Sequence, residues 1–496
     1  MIAEVWRRRF GLLSLKEKLF AVWAFFMLAS FSIAVGSGFY AIATVPFAIL
    51  VFYWSIMDFR ALFLVLMACI PLSTEVVLPN GFGTDLPTEP IIIGLMGIGL
   101  LVFAYRNKQL ASDVFLHPMT IFLFLHLFWI YFSTVHSELF LVSFKFSLAK
   151  TWYVAVFYFL AYYILKKEEQ FVQAIWWVFW PLLFTVLIIL IRHSLVGFSF
   201  AEVHKVLHPF QRNHVSYAAL LSLFLPYVWL LYRLSRGRWA KFWIAAVATV
   251  LVIAVYFSYT RAAYVALALA FVAYFVFRLR LMKAILLVGL VVTLVGVGYL
   301  FSQNRFLALA PNYDTTIAHR EFGSLLDATA KGEDISTMER LYRWIAGVEM
   351  SRKRPLVGFG PGNFVNFYKP FSITSFRTYV SKNEEQSGIH SYFLMTLVEQ
   401  GWPGLLFFLV LSLFLFIRGE QIYHESQSPF RKAVVMSILL SLVVIYAFLI
   451  INDMIETDKV GSFYFLSLAM LVRIDLLNRD ELSDKTEAEK NSGESA

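Results

Sequence analysis

The sequence is short of the residues on which soluble and disulfide-stapled proteins depend. It has one cysteine, Cys69, in 496 residues, which excludes an intrachain disulfide. That thiol lies in an apolar run and reads as a small buried hydrophobe. Charged residues make up only 15% of the chain, against about 25% in a typical soluble domain. There is no Walker A loop, no HExxH, no GxSxG and no Cys/His cluster of zinc spacing, so nothing points to ATP hydrolysis or a tightly held metal. The expected cofactors and metals are none. No internal repeat is visible. The deficit in charge is matched by an excess of grease: 59% of residues are hydrophobic and 18% aromatic, with 51 Phe. One soluble core cannot hide so much apolar surface, and a secreted scaffold and a disordered chain are both excluded. The formal charge of +9 sits in basic residues that punctuate apolar segments, a membrane-topology pattern. No basic-aromatic module of the nucleic-acid kind is present.

The chain is therefore expected to be an all-α polytopic membrane protein. A helix needs roughly 20 apolar residues to span a bilayer. Spans are expected near 19–35, 39–56, 61–78, 90–105, 118–135, 151–165, 171–191, 214–232, 242–259, 262–277, 284–301, 390–417, 433–452 and 461–477, about fourteen in all by that length criterion. Segment 139–150 is expected to be re-entrant or interfacial, and the first span to be retained rather than cleaved as a signal peptide. Arg7-Arg8-Arg9, Arg106/Lys108, Lys166-Lys167, Arg233/Arg236/Arg238/Lys241, Arg278/Arg280/Lys283 and Arg418/Arg431/Lys432 fall on alternate loops, which places both termini in the cytoplasm. Four parts follow: helices over 1–301, a large outer loop over 302–389, helices over 390–477, and a polar tail over 478–496 whose composition predicts disorder.

The outer loop carries a helical pattern of its own. Ser336 and Glu339 have capping-box spacing. Met338, Leu341, Ile345 and Val348 form an apolar stripe, while Arg340, Arg343, Trp344 and Gly347 share another face. Pro355 ends the helix, because Arg354 before it is pushed out of helical conformation.

Candidate chemistry concentrates on this outer side. Arg261, in Ser258-Tyr-Thr-Arg261-Ala-Ala-Tyr264, stands between two apolar spans and suits either a phosphate or lipid headgroups and loop carbonyls. Arg340 and Arg343 read as an anion site or a solvated basic face. Gly358-x-Gly360-x-Gly362 follows a helix and contains Pro361, so it is a tight turn rather than a dinucleotide fingerprint. Its N–H groups are candidates to face a phosphate. His390 opens a span at the outer face, where a neutral imidazole can take a proton. Gly401 and Pro403 should break that helix after about three turns. Glu399 lies on the opposite face and is a poor partner for His390. Arg212-Asn213-His214 opens another span and either lines the same cavity or caps the helix. Glu75, Asp85 and Glu89 cluster around the 79–89 loop as a carboxylate site or a solvated group.

Taken in order, these pieces resemble the O-antigen ligase and O-antigen polymerase superfamily of bacterial envelope enzymes. His390-Ser391, then nine residues, then Gly401-x-x-Gly404 looks like the ligase-type signature, although Leu405-Leu406 follows where Thr-Leu is usual. Arg340-x-x-x-Trp344 with Pro355-Leu-Val-Gly-Phe-Gly-Pro-Gly-Asn-Phe364 resembles the family's loop motif, and Thr260-Arg261-Ala-Ala-Tyr264 its arginine between two spans. The likeness covers about 210–460. It implies a metal-independent, inverting glycosyltransferase at the periplasmic face of the inner membrane. The donor would be a glycan on undecaprenyl pyrophosphate and the acceptor a lipid A-core sugar, or another lipid-linked repeat if the enzyme is a polymerase. By likeness, Arg261 and Arg340 would bind the pyrophosphate and His390 would assist the attacking hydroxyl, with Arg343, Arg212 and His214 as secondary candidates. Fixed guanidinium groups can stabilise a departing diphosphate without a metal, and the activated donor needs no ATP. A lipid-linked oligosaccharide flippase or transporter is the reading from a different class. It would want its functional charges within the membrane rather than on one face.

Overall fold

The computed structural model describes residues 14–37, 42, 45–77, 83–105, 112–303, 305, 335–373, 381–383 and 386–493. Lipid offers no partner to backbone polar groups, so apolar runs close their hydrogen bonds within helices. Apart from single turns, the elements in order are α1 (Leu15–Ser37), α2 (Val45–Met57), α3 (Phe59–Cys69), a hairpin of β1 (Thr74–Val77) and β2 (Gly83–Leu86), α4 (Thr88–Tyr105), α5 (Ser112–Leu116), α6 (Pro118–Val135), α7 (Phe140–Ile164), α8 (Glu168–Leu195), α9 (Val203–Leu207), α10 (His214–Leu234), α11 (Arg238–Tyr256), α12 (Arg261–Arg278), α13 (Met282–Phe301), α14 (Ile335–Lys353), α15 (Tyr392–Glu425), α16 (Pro429–Ile451) and α17 (Asp458–Gly493). This is an all-α polytopic membrane protein. Eleven helices among the described residues are long and apolar enough to cross a membrane. The remaining three expected spans coincide with α2, α3 and α4, whose apolar stretches are shorter.

Two expectations change here. Segment 139–150 is no re-entrant piece. It runs unbroken through a π-helical stretch, Val154–Leu160, into one 25-residue span. The charge of Lys150 within it is met inside the bundle by Glu456 and Tyr392. The tail beyond Leu477 is helical to Gly493 rather than irregular. Its first turns dock through Arg431, which reaches Asn478 at 2.8 Å and Glu481 at 2.7 Å.

The core sits between α10, α16 and α17, whose spanning stretches are 72, 78 and 83% buried, whereas none of that of α13 is. Lipid supplies no hydrophobic drive between helices, so close backbone approach carries more of the packing. Ala263, Ala266, Ala270 and Ala273 give α12 a buried small-residue stripe, and α12 packs on α16. Gly419 of α15 leaves room for Leu439 of α16, where a Cβ would sit 2.5 Å from Cδ2.

Helix direction alternates, so one end of the bundle gathers the segments that matter for function. There Thr88 bonds Asp458 at 3.1 Å, Lys459 reaches the carbonyls of Ser73 and Phe210, and Tyr392 N–H donates to the Asn452 carbonyl at 3.1 Å. The opposite end is tied by Arg418 and His117 to Asp475, and by Arg431 to Glu168.

Candidate functional site

Helix α14 positions the arginines. It ends at Lys353, before Pro355, as expected. Its Ser336 side chain, and with it the expected capping box, lies outside the described residues, and Glu339 meets Arg343 and Ser381. The buried stripe is Met338, Tyr342, Ile345, Ala346 and Met350, with Leu341 and Val348 half-buried. The face bearing Gly347 packs too: a Cβ there would lie 2.4 Å from Ile389 and 3.3 Å from Leu394 and Val398. This glycine lets α14 lie close against the start of α15 and holds Arg340 beside His390.

The 355–364 turn locks that arrangement. Gly358, Gly360 and Gly362 all have positive φ, the conformation glycine adopts without strain. Their amides do not face an open anion site. Gly362 and Phe364 N–H donate to the Glu399 carboxylate at 2.8 and 3.0 Å, and Gly360 N–H to the Glu399 carbonyl at 2.9 Å. The turn is thus filled by a carboxylate of the protein itself, which is why Glu399 faces away from His390. Gly401 (φ 72°, ψ −175°) kinks α15 where the break was expected, and Trp402 N–H donates to the Pro355 carbonyl at 2.8 Å.

His390 stands one residue before the N-cap of α15 in the left-handed region, φ 57°. Such strain in a non-glycine residue gathers at functional sites. Trp344 Nε1 donates to its carbonyl at 3.3 Å. Burial first, then the charges of Arg340 and Arg343, push its proton affinity down to about 3, while Asn452 beside it works the other way. The imidazole is therefore neutral at pH 7.

Arg340 is half-buried, its Nε 3.4 Å from the Ile451 carbonyl. Its charge is felt by both His390 and His214. His214 Nδ1 lies 3.1 Å from His204 Nε2, and its carbonyl accepts from Thr260 Oγ1 at 3.2 Å. That contact sets Arg261, the first residue of α12, one position away. The helix cap at this point is Asn213, not His214. Arg212 is exposed and 3.6 Å from Glu75. Arg343 departs from expectation: it is 5% exposed, with Nη1 on Ser387 at 2.8 Å and the Gly388 carbonyl at 3.0 Å. Glu339 and Asn383 take Nη2 at 3.5 and 3.4 Å. It braces Ser387, Gly388 and Asn383 and is not a solvated face. All six residues thus stand at one end of the bundle, with His390, Arg340 and Arg343 directly grouped.

The 452–458 segment was not legible as part of this site. Asn452 flanks His390. Asp453 is driven toward its protonated form by burial and Glu456, against Arg343 and Arg212. Glu456 pairs with the buried Lys150. The available signal was Lys150, an ionisable residue inside an apolar run. A cavity of about 10 Å³ beside Lys150, room for one water, is lined by His126, Tyr392 and Tyr464 and by none of the six candidate residues. The acidic cluster is real: Glu75 pairs across the hairpin with Asp85. Burial, then Asp458, Glu89 and Glu75, raise Asp85 to about 7, with Lys459 opposing.

Guanidinium groups can hold an oxyanion, and the neutral imidazole next to them can take a proton from a hydroxyl brought beside it. No curated protein matches the chain. Residues 244–409, which contain Arg261, Arg340, His390 and Gly401, match the family model for O-antigen ligase, and over that stretch the chain is similar to the O-antigen ligase and polymerase superfamily.

Proposed function

We propose that the protein moves a glycan from undecaprenyl pyrophosphate to a sugar hydroxyl at the periplasmic face of the bacterial inner membrane, with both termini cytoplasmic and a lipid A-core sugar as acceptor. The observation that carries this reading is geometric: Trp344, on the helix of Arg340, donates to the His390 carbonyl at 3.3 Å, Arg340 Nε lies 3.4 Å from the Ile451 carbonyl, and Thr260, next to Arg261, donates to the His214 carbonyl at 3.2 Å. The lysine and arginine bias toward the opposite loops supports the orientation. In the proposed reaction Arg340 and Arg261 hold the diphosphate. The acceptor oxygen attacks the anomeric carbon from the opposite face, inverting it, while the carbon–phosphate oxygen bond breaks and the diphosphate leaves with the electron pair. His390 takes the hydroxyl proton. The charges of Arg340 and Arg343 that depress His390 are offset once the diphosphate is bound, so the base strengthens when the donor arrives. One preorganised donor contributes about 3–4 kcal/mol, and a general base about 10²–10⁴-fold. Arg212 and His214 border this site.

A deletion strain tests the reading. Long lipid-linked chains that accumulate without attachment to core support the ligase. Single repeats would make the protein a polymerase. Unchanged lipopolysaccharide would refute both.

A further inference from the structure

The imidazole of His390 has two nitrogens, and only one can meet the acceptor. Nδ1 is buried and makes no hydrogen bond in this structure, and the same is true of Nδ2 of Asn452. Asn452 is 6% exposed. It ends α16 in extended conformation, and its carbonyl accepts Tyr392 N–H at 3.1 Å. The preceding carbonyl, that of Ile451, faces Arg340 Nε at 3.4 Å. The segment Ile451-Asn452 therefore fixes the backbone two residues beyond His390 and touches the arginine beside it. A buried polar side chain without a partner is costly, and one placed against a strained histidine has a use.

We infer that Asn452 is the positioning partner of His390: its carboxamide oxygen accepts Nδ1–H, which fixes the tautomer and leaves the Nε2 lone pair for the acceptor hydroxyl. As the bond from acceptor oxygen to anomeric carbon forms and the bond to the diphosphate breaks, the hydroxyl proton passes to Nε2. The imidazolium then carries both protons, with Nδ1–H still held by Asn452. Asparagine suits the task because it orients the ring without adding charge. A carboxylate there would raise the proton affinity that Arg340 and Arg343 depress. The carboxylate of Asp453, the next residue, lies instead against Gly388. This inference rests on His390 being the base.

The test uses the full-length protein in nanodiscs with a lipid-diphosphate glycan donor. Asn452→Ala should lower kcat about 10–100-fold, the usual effect of losing an orienting partner, with KM unchanged. Asn452→Asp should remain active and shift the acid limb of the rate profile to higher pH, which a merely structural residue would not do. A folded Asn452→Asp with an unmoved acid limb, or no activity at any pH, overturns the inference, as does a wild-type kcat in Asn452→Ala. An active His390→Ala would instead overturn the assignment of the base.

Discussion

Replacing Arg340 with Gln separates what this residue does for the substrate from what it does for His390. The half-buried guanidinium reaches the Ile451 carbonyl at 3.4 Å and is the larger of the two charges that depress His390, after burial. At an effective dielectric near 20, two unit charges about 4 Å apart interact by roughly 4 kcal/mol, close to the loss of about 3–4 kcal/mol found when one oxyanion donor is removed. Arg340→Gln should therefore slow transfer about 10²–10³-fold. It should also raise the proton affinity of His390, moving the acid limb of the rate profile to higher pH. Arg340→Lys keeps the charge and loses the planar fork. It should fall between wild type and Gln in rate and leave the acid limb close to that of the wild type. Single-turnover transfer with enzyme in excess, across a pH series, reads both effects. Equal acid limbs in Gln and wild type would refute the electrostatic coupling, and a rate within twofold of wild type would refute the diphosphate role.

Further outcomes follow from the packing. Gly401→Ala places a Cβ 2.1 Å from the Leu356 carbonyl oxygen at φ 72°, a backbone conformation whose strain alone costs about 1–3 kcal/mol. It should lower folded yield by size exclusion and abolish transfer. Lys150→Met leaves Glu456 and the Tyr392 hydroxyl without their cation and should destabilise by about 3–5 kcal/mol, measured by thermal unfolding in detergent. Lys150→Met with Glu456→Gln should recover part of that loss. His390 is depressed on folding, so the unfolded chain binds the extra proton. Stability should fall as pH drops from about 6.5, its unfolded value, toward about 3. His390→Gln should flatten that part of the unfolding curve.

The architecture was readable because spans are long apolar runs whose pattern survives any packing. The segment 139–150 misled because the partner that takes its Lys150 into the bundle, Glu456, lies some three hundred positions away. The polar tail misled because its docking to Arg431 depends on a helix end the local sequence cannot show. His390 and Arg261 were visible as polar residues at the ends of spans, and Arg340 as a charge on one face of the loop helix. Arg343 was visible as a charge, but its burial follows from the 381–390 segment folding back over it. The glycines at 358, 360 and 362 announced a turn, yet not that Glu399 fills it, since a carboxylate on a helix and a loop nearly forty residues earlier share no local pattern. Asn452 carried no signal at all, because a lone asparagine at the end of an apolar run reads as a cap.

The most direct measurement is binding of undecaprenyl pyrophosphate, against undecaprenol, to the purified full-length protein in nanodiscs. Clear preference for the diphosphate, lost in Arg340→Ala and Arg261→Ala and retained in His390→Ala, is the predicted result. Equal affinity for the two lipids, or a preference untouched by both arginine substitutions, would contradict the account.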